Sequence, residues 1–362
     1  MLVKKLELKN FRNYDNLAIS FTDGLNVISG LNASGKTNLV ESIYYSGLGK
    51  SPRTSKDKDL IKWDNEKFFI KIFIQKKYRD HIVEIIVDKD GKKIINIDKI
   101  PIRKISELIG LLNIVYFSPD ELDIVKEGPS ERRRFIDISI SQQKTLYFNA
   151  LVKYNKILNQ RNKLLKTYQD EKIIRENIVI WDMQLAKVGA YIIKNRYEFI
   201  ENFKKIAYIQ HKNLSNDKEE LDVEYETKIT NDSVENIEKQ YLSLLENSLD
   251  KDISLKYTTI GIHRDDLSLT VNGIDVRNFG SQGQKRSVAL SLKLAEVALF
   301  EEKIGEKPIL ILDDVLSELD KVRQNKLLEV IENTQTFITC TDYNEKCNKK
   351  ITISNGKVIE EK

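Results

Sequence analysis

Residues 30–38 read Gly-Leu-Asn-Ala-Ser-Gly-Lys-Thr-Asn and fit the phosphate-loop pattern G-x-x-x-x-G-K-[ST]. Their flanks narrow the fold further. Residues 25–29 read as a short buried strand and residues 36–45 as a helix. Strand, glycine-containing loop and helix N-terminus in that order make an anion site, because backbone N–H groups and the helix dipole face the loop. Gly30, Leu31, Asn32, Ala33, Ser34, Gly35, Lys36, Thr37 and Asn38 are therefore the candidate nucleotide-binding residues. Gly30 and Gly35 allow the tight turn. Lys36 would reach the β- and γ-phosphates, and the Thr37 hydroxyl would ligate Mg²⁺. A glycine-containing surface turn followed by a lysine is the alternative; the flanking strand and helix weigh against it.

The 362 residues suffice for a large domain with a second lobe, or for two medium domains. A net charge of +4 excludes a strongly basic tail protein and leaves any DNA binding to local patches. Cys340 and Cys347 show no metal-ligand spacing, so a structural disulfide is not expected and a cytoplasmic location is. The N-terminus enters a strand pattern with no signal-like apolar core, and no apolar run approaches a membrane span.

Residues 3–8 and 17–21 alternate as strands. Between them, residues 9–14 form a polar turn with Phe11 packed beneath; Arg12 either belongs to that turn or lies near the bound phosphates. Residues 47–56 are small, basic and hydroxyl-rich, an exposed loop suited to phosphate contacts or a simple solvated connection. Arg53 and Lys56 are its DNA-contact candidates. Residues 68–75, 81–88 and 93–98 form an antiparallel sheet with a turn at Asp90-Gly91, and residues 114–117 one more short strand.

From 119 to about 214 the period is helical. Leu151, Tyr154, Leu158 and Leu165, then Trp181, Leu185, Val188, Ile192, Phe199 and Phe203, mark two helices pairing as a short antiparallel hairpin. Pro129 and Ser130 start an earlier helix whose first turn holds Arg132, Arg133 and Arg134. Cations there oppose the macrodipole, so either nucleic-acid phosphate or nearby acids such as Glu131 and Asp137 must offset them. Residues 221–229, 257–260, 267–271 and 274–276 return to strand character, with a hairpin at Asn272-Gly273.

Residues 308–314, Pro-Ile-Leu-Ile-Leu-Asp-Asp, form a buried strand ending in two carboxylates, the expected partner of a phosphate loop. Asp313 would hold Mg²⁺ and Asp314 would act as general base; Asp314 and Lys36 are the catalytic candidates. Upstream, Ser281-x-x-Gln284 is a capping box before a long amphipathic helix, and Gly283 in its first turn leaves N–H groups for an anion.

This order of motifs resembles the ABC-type ATPase heads of DNA repair proteins, which are related to chromosome-structuring (SMC) heads. It is most similar to the bacterial RecF family, over essentially the whole chain. The stretches that carry the likeness are 9–14 (K-N-F-R-N-Y), 53–55 (R-T-S), 117–119 (F-S-P), 132–135 (R-R-R-F), 261–266 (G-I-H-R-D-D), 280–284 (G-S-Q-G-Q) and 313–320 (D-D-V-L-S-E-L-D). The resemblance implies an α/β ABC-ATPase head, a P-loop mixed sheet plus an antiparallel β subdomain, with an inserted all-helical lobe. Its expected limits are 1–118 and 221–362 for the ATPase domain and 119–220 for the lobe.

It further implies that Ser281, Gly283 and Gln284 of one copy complete the ATP site of another. Ser317, Glu318, Leu319 and Asp320 would cross the interface of an ATP-dependent homodimer. The implied function is ATP-dependent binding of double- and single-stranded DNA with weak, DNA-stimulated hydrolysis. Its purpose would be to help load RecA at single-strand gaps, with RecR and with RecO in the pathway. Arg132, Arg133 and Arg134 join the DNA candidates. Some positions depart from the wider ABC pattern. No histidine follows residues 336–340, which predicts slow hydrolysis and leaves Thr341 at the switch position. Ser118-Pro119-Asp120 occupies the place of the glutamine loop. Ala33 replaces a common glycine and should be tolerated, and Ile262 replaces a proline, so that His263 reads best as a core or hydrogen-bonded residue. The rival readings are a transporter's ATPase subunit, a chromosome-structuring clamp and a nonhydrolysing DNA-binding scaffold. The long insert opposes the first and the short hairpin the second.

Overall fold

Alternation at the N-terminus becomes the hairpin of β1 (Leu2–Phe11) and β2 (Tyr14–Ser20). The structure is a computed structural model describing residues 1–343 and 345–361, without the side chains of Glu121, Leu122, Glu318, Val322 and Val330. After β3 (Leu25–Ser29) and helix α1 (Lys36–Leu48) come β4 (Lys67–Gln75), β5 (His81–Asp88), β6 (Lys93–Ile97), β7 (Ile100–Pro101) and β8 (Ile114–Phe117). Helices α2 (Asp123–Lys126), α3 (Pro129–Gln143), α4 (Thr145–Thr167) and α5 (Glu171–Ser215) precede β9 (Leu221–Glu226). Then follow α6 (Val234–Asn247), α7 (Leu249–Leu255), β10 (Asp266–Val271), β11 (Ile274–Asp275) and α8 (Val276–Phe279). The chain finishes with α9 (Gln282–Ile304), β12 (Ile309–Asp313), α10 (Lys321–Val330), β13 (Thr336–Cys340), β14 (Lys349–Ser354) and β15 (Lys357–Glu361).

These elements divide into two units, Met1–Leu122 with Ala289–Lys362, and Asp123–Val288. The first unit holds two sheets. One is antiparallel, in the order β2-β1-β4-β5-β6-β7. Its inward positions, Phe68, Ile70, Ile72 and Ile74 on β4 and Val83, Ile85 and Val87 on β5, are buried, as period-two patterning requires. The other has the order β15-β14-β3-β13-β12-β8, in which β14, β3, β13, β12 and β8 run parallel. Its central strands are buried along nearly their whole length, and β12 is a continuous apolar run from Ile309 to Leu312. The register Asp313↔Thr339 and Cys340↔Ser29 brings the C-terminal ends of β12, β13 and β3 side by side. In open parallel sheets, ligands bind at that end.

The second unit extends past the expected limit at 220. Residues 221–226 pair with β10, from Val271↔Leu221 to Asp266↔Glu226, and β9 packs on α5. The sequence from 221 to 288 therefore belongs with the inserted helices and adds the sheet β11-β10-β9. Helices α4 and α5 pack against each other, burying Tyr154, Leu158, Leu165, Leu185, Ile192, Phe199 and Phe203; Leu151, Trp181 and Val188 stay at the margin. Residues 257–260 are not a strand. The backbone N–H groups of Thr258 and Thr259 are taken by side chains, Asn162 Oδ1 at 2.8 Å and Asp252 Oδ1 at 2.9 Å, instead of a neighbouring strand. The same Asp252 binds the fully buried Arg161 at 2.7 Å, which also donates to Asp182 at 2.5 Å.

His263 is half-buried and hydrogen-bonded. Its Nε2 lies 3.1 Å from the Thr258 carbonyl, which can only accept, so Nε2 carries the proton and Nδ1 accepts from Tyr154 OH at 3.0 Å. Burial pushes its pKa down to about 4. Because the folded value lies below the unfolded one of about 6.5, stability from this group is present above pH 6.5 and lost as pH falls toward 4. Wild type should lose about 2 kcal/mol between pH 7 and pH 5 that His263→Gln does not lose, measured as the difference in urea unfolding. Parallel pH dependence in the two proteins would contradict it.

Candidate nucleotide site

The loop after β3 is shaped by positive φ angles, +149° at Gly30, +64° at Ala33 and +117° at Gly35. A Cβ at Gly30 would stand 2.3 Å from the Ile353 carbonyl oxygen, and one at Gly35 would stand 2.5 Å from Asn13 Nδ2. At Ala33 a side chain held at a left-handed φ costs roughly 1 kcal/mol relative to glycine. The loop is clamped from outside. Asn13 Nδ2 and Gly356 N donate to Ser34 O at 3.0 and 2.9 Å, and Tyr14 OH donates to Gly35 O at 2.9 Å.

The inner side fits a phosphate. Helix α1 starts at Gly35 with no side-chain cap and no acid in its first turn, so its first N–H groups are free for an anion. The buried Ser34 hydroxyl has no partner among the described residues. Lys36 is buried and curls over the loop, donating from Nζ to Gly30 O at 2.9 Å and Leu31 O at 3.1 Å.

Beside it, the Asp313 carboxylate accepts from three hydroxyls. Thr37 and Thr339 reach Oδ1 at 3.0 and 2.6 Å, and Tyr116 reaches Oδ2 at 2.9 Å. Thr37 and Asp313 thus offer adjacent hard oxygens of the kind Mg²⁺ takes. Thr339 Oγ1 also accepts from Asp314 N at 2.9 Å, pinning a residue whose φ is +54°. Burial, then the neighbouring Asp313, raises the Asp314 pKa, with Lys36 opposing. Asp314 lines a cleft of about 650 Å³ together with Asn32, Pro119, Ser317, Thr339 and Thr341. Thr339 and Tyr116 were not among the sequence candidates. Their hydroxyls matter only through the parallel register of β8, β12 and β13, which no local motif encodes.

Other candidates lie elsewhere or are engaged. Ser281, Gly283 and Gln284 belong to the second unit. The capping box is formed, with Ser281 N to Gln284 Oε1 at 2.9 Å and Gln284 N to Ser281 Oγ at 3.2 Å, and Ser281 is exposed. Ser317 Oγ donates to Asp314 O at 2.8 Å, Leu319 is buried, and Asp320 caps α10 through Arg323 N at 3.0 Å; the Glu318 side chain lies outside the described residues. Arg12 forms a fork on the buried Glu41 at 2.9 and 3.0 Å, which assigns it to the hairpin and not to phosphate.

The arginine cluster needs correction. Arg132 is 3% exposed and bound to Asp266 at 2.7 and 2.8 Å, with Nη1 on the carbonyls of Ile124 and Glu127, so it cannot contact DNA. Arg133 donates to Asp265 O at 2.7 Å, and Arg134 is exposed with Glu131 at 3.3 Å. Internal acids offset the macrodipole here. Lys56 is exposed; Arg53 is also exposed but donates to Asn38 Oδ1 at 3.1 Å.

The model of the RecF/RecN/SMC N-terminal domain family matches residues 2–357. The DNA replication and repair protein RecF of Lachnoclostridium phytofermentans is 46% identical over 351 residues, 97% of this chain and 96% of its own. That of Clostridium acetobutylicum is 44% identical over 367 residues, 99% of this chain and all 100% of its own. Among solved structures, the recombination mediator protein RecF-ATP in the RecFOR pathway superposes with a TM-score of 0.91 at 35% identity, covering 99% of this chain and 97% of that one. An Smc head bound to the C-winged helix domain of ScpA covers 99% of this chain and 97% of that one; at 18% identity and a TM-score of 0.58 it shares the fold.

Thr339 acts on the site through Asp313 and Asp314, so Thr339→Val should lower ATP turnover about tenfold and weaken its Mg²⁺ dependence. ATP binding measured in EDTA should hold, and Thr339→Ser should keep most of the turnover. Equal turnover in wild type and Thr339→Val would contradict this role.

Proposed function

The chain belongs to the RecF branch of the RecF/RecN/SMC N-terminal domain family, and from that membership we propose an ATP-dependent DNA-binding recombination mediator acting in DNA repair and replication. The observation that carries this reading is the uncapped start of α1 beside the Thr37–Asp313 hydrogen bond of 3.0 Å, in a chain similar to RecF over nearly its whole length.

The first unit binds the nucleotide. Lys36 and the N-terminal amides of α1 hold the β- and γ-phosphates of ATP. Thr37 and Asp313 would hold Mg²⁺, which would neutralise charge developing on the transferred phosphoryl group. Asp314, held by Thr339 and raised in pKa, orients the attacking water. As the likeness to ABC-type heads implies, Ser281, Gly283 and Gln284 of a second copy close the site, giving an isologous dimer with two nucleotides between its subunits; the exposed helix start at Ser281 supports this. Ser317, Leu319 and Asp320 belong to the segment that crosses that interface. A threonine, Thr341, at the switch position supports slow hydrolysis, which resets the dimer.

Arg53, Lys56, Arg133 and Arg134 remain the DNA candidates, and binding is sequence-independent and salt-sensitive. The partners are DNA at gap junctions and RecR, with RecO and RecA in the pathway. The location is cytoplasmic; among the described residues no helix is long and apolar enough to cross a membrane.

Gapped duplex should raise ATP turnover by wild type and not by Lys36→Arg, and ATP should raise the sedimenting mass from one copy to two. Ser281→Arg should keep ATP binding by the monomer and lose the ATP-induced dimer. Turnover indifferent to DNA, with mass unchanged by ATP, would refute the reading.

A further inference from the structure

One end of the antiparallel sheet carries a side chain that the nucleotide site does not use. Trp63 is 91% exposed, although tryptophan is usually among the more buried residues. It stands on a turn closed by Asn65 N to Lys62 O at 3.2 Å, with Asn65 Nδ2 donating to Trp63 O at 3.0 Å. The backbone beneath is fixed. Arg12 N donates to Leu60 O at 2.7 Å, Lys62 N donates to Asn10 O at 2.9 Å, and Ile61 bridges to the buried Phe11. The indole is thus presented on a rigid support, and its exposure contributes nothing to folding.

The charges nearby point to a phosphate chain. Lys9, Lys56, Lys58 and Lys67 are exposed, and none has a carboxylate partner among the described residues. Three carboxylates at this end are neutralised, Asp15 by Lys62 at 2.5 Å, Asp57 by Lys93 at 2.7 Å and Glu66 by Lys89, while Asp59 is held by the Thr54 hydroxyl and Asp88 by backbone amides. Asp64, exposed next to Trp63, repels phosphate, so the turn itself offers a flat apolar face and the lysines around it offer charge.

We propose that Trp63 is a stacking platform for an unpaired base of nucleic acid, with the flanking lysines on the adjoining phosphates. This rests on the DNA-binding reading above and adds the side chain that recognises the unpaired strand. A base inside a duplex is already stacked, so only an unpaired or terminal base can use the indole, and stacking of this kind tolerates any sequence. The hairpin supporting the turn also clamps the phosphate loop, through Asn13 to Ser34 O at 3.0 Å and Tyr14 to Gly35 O at 2.9 Å. The base and the ATP phosphates therefore share one rigid support.

The test measures binding of the full chain, with ATP, to gapped DNA and to fully paired DNA of equal length by fluorescence anisotropy. Trp63→Ala should weaken binding to gapped DNA about 10- to 100-fold and change binding to paired DNA by less than about twofold. Trp63→Phe should keep most of the gapped-DNA affinity, and Trp63→Lys should lose it despite the added charge. Thermal midpoints and DNA-free ATP turnover should match wild type. Unchanged gapped-DNA binding by Trp63→Ala would overturn the assignment and leave the face to a protein partner, and tighter binding by Trp63→Lys would make the contact electrostatic. Failure of wild type to bind either DNA would instead overturn the DNA-binding reading itself.

Discussion

The parallel register of β3, β13 and β12 is the constraint on which the rest depends. It aligns Asp313 with Thr339 and Ser29 with Cys340, so three strand ends meet at one edge. The phosphate loop leaves one end, the paired carboxylates the second, and the hydroxyl that holds them the third. A one-residue slip would turn Thr339 away from Asp313 and release the backbone of Asp314 from its left-handed conformation. Strain of that kind persists only where surrounding bonds over-determine it. Here a single hydroxyl donates to one carboxylate and accepts from the next residue's amide.

Much of the site was legible because it is locally encoded. The loop of residues 30–38 and the strand ending in Asp313 and Asp314 each announce their chemistry within a few residues. What escaped depends on distant partners. Arg132 looked free for phosphate because Asp266, its partner, lies 134 positions along the chain. Residues 257–260 have strand composition, yet side chains from α4 and from α7 take the amides of Thr258 and Thr259. Residues 221–226 have strand character that does not say which sheet they join; pairing with β10 assigns them to the inserted unit. Thr339 and Tyr116 needed the register, and the cost at Ala33 needed the backbone angle.

The hairpin of β1 and β2 touches both the phosphate loop and the segment that carries Trp63. Its tip holds the carbonyls of Ser34 and Gly35 from one side and the 60–62 segment from the other. Arg12 at that tip is tied to Glu41 on α1, one turn beyond Thr37, and Arg53 joins the same network at 3.6 Å. Hydrogen bonds and ion pairs thus connect α1 to the basic loop and to the turn bearing Trp63.

The central claim is that one nucleotide is shared, with the phosphate loop of one copy facing Ser281 of another. Mixing two inactive proteins tests it directly. Lys36→Arg supplies an intact Ser281 segment, and Ser281→Arg supplies an intact loop. Each heterodimer then contains one whole composite site. An equimolar mixture should recover ATP turnover well above that of either variant alone, up to about half of wild type, since each mixed dimer holds one intact site of two. Turnover in the mixture no higher than in either variant alone would contradict the shared site.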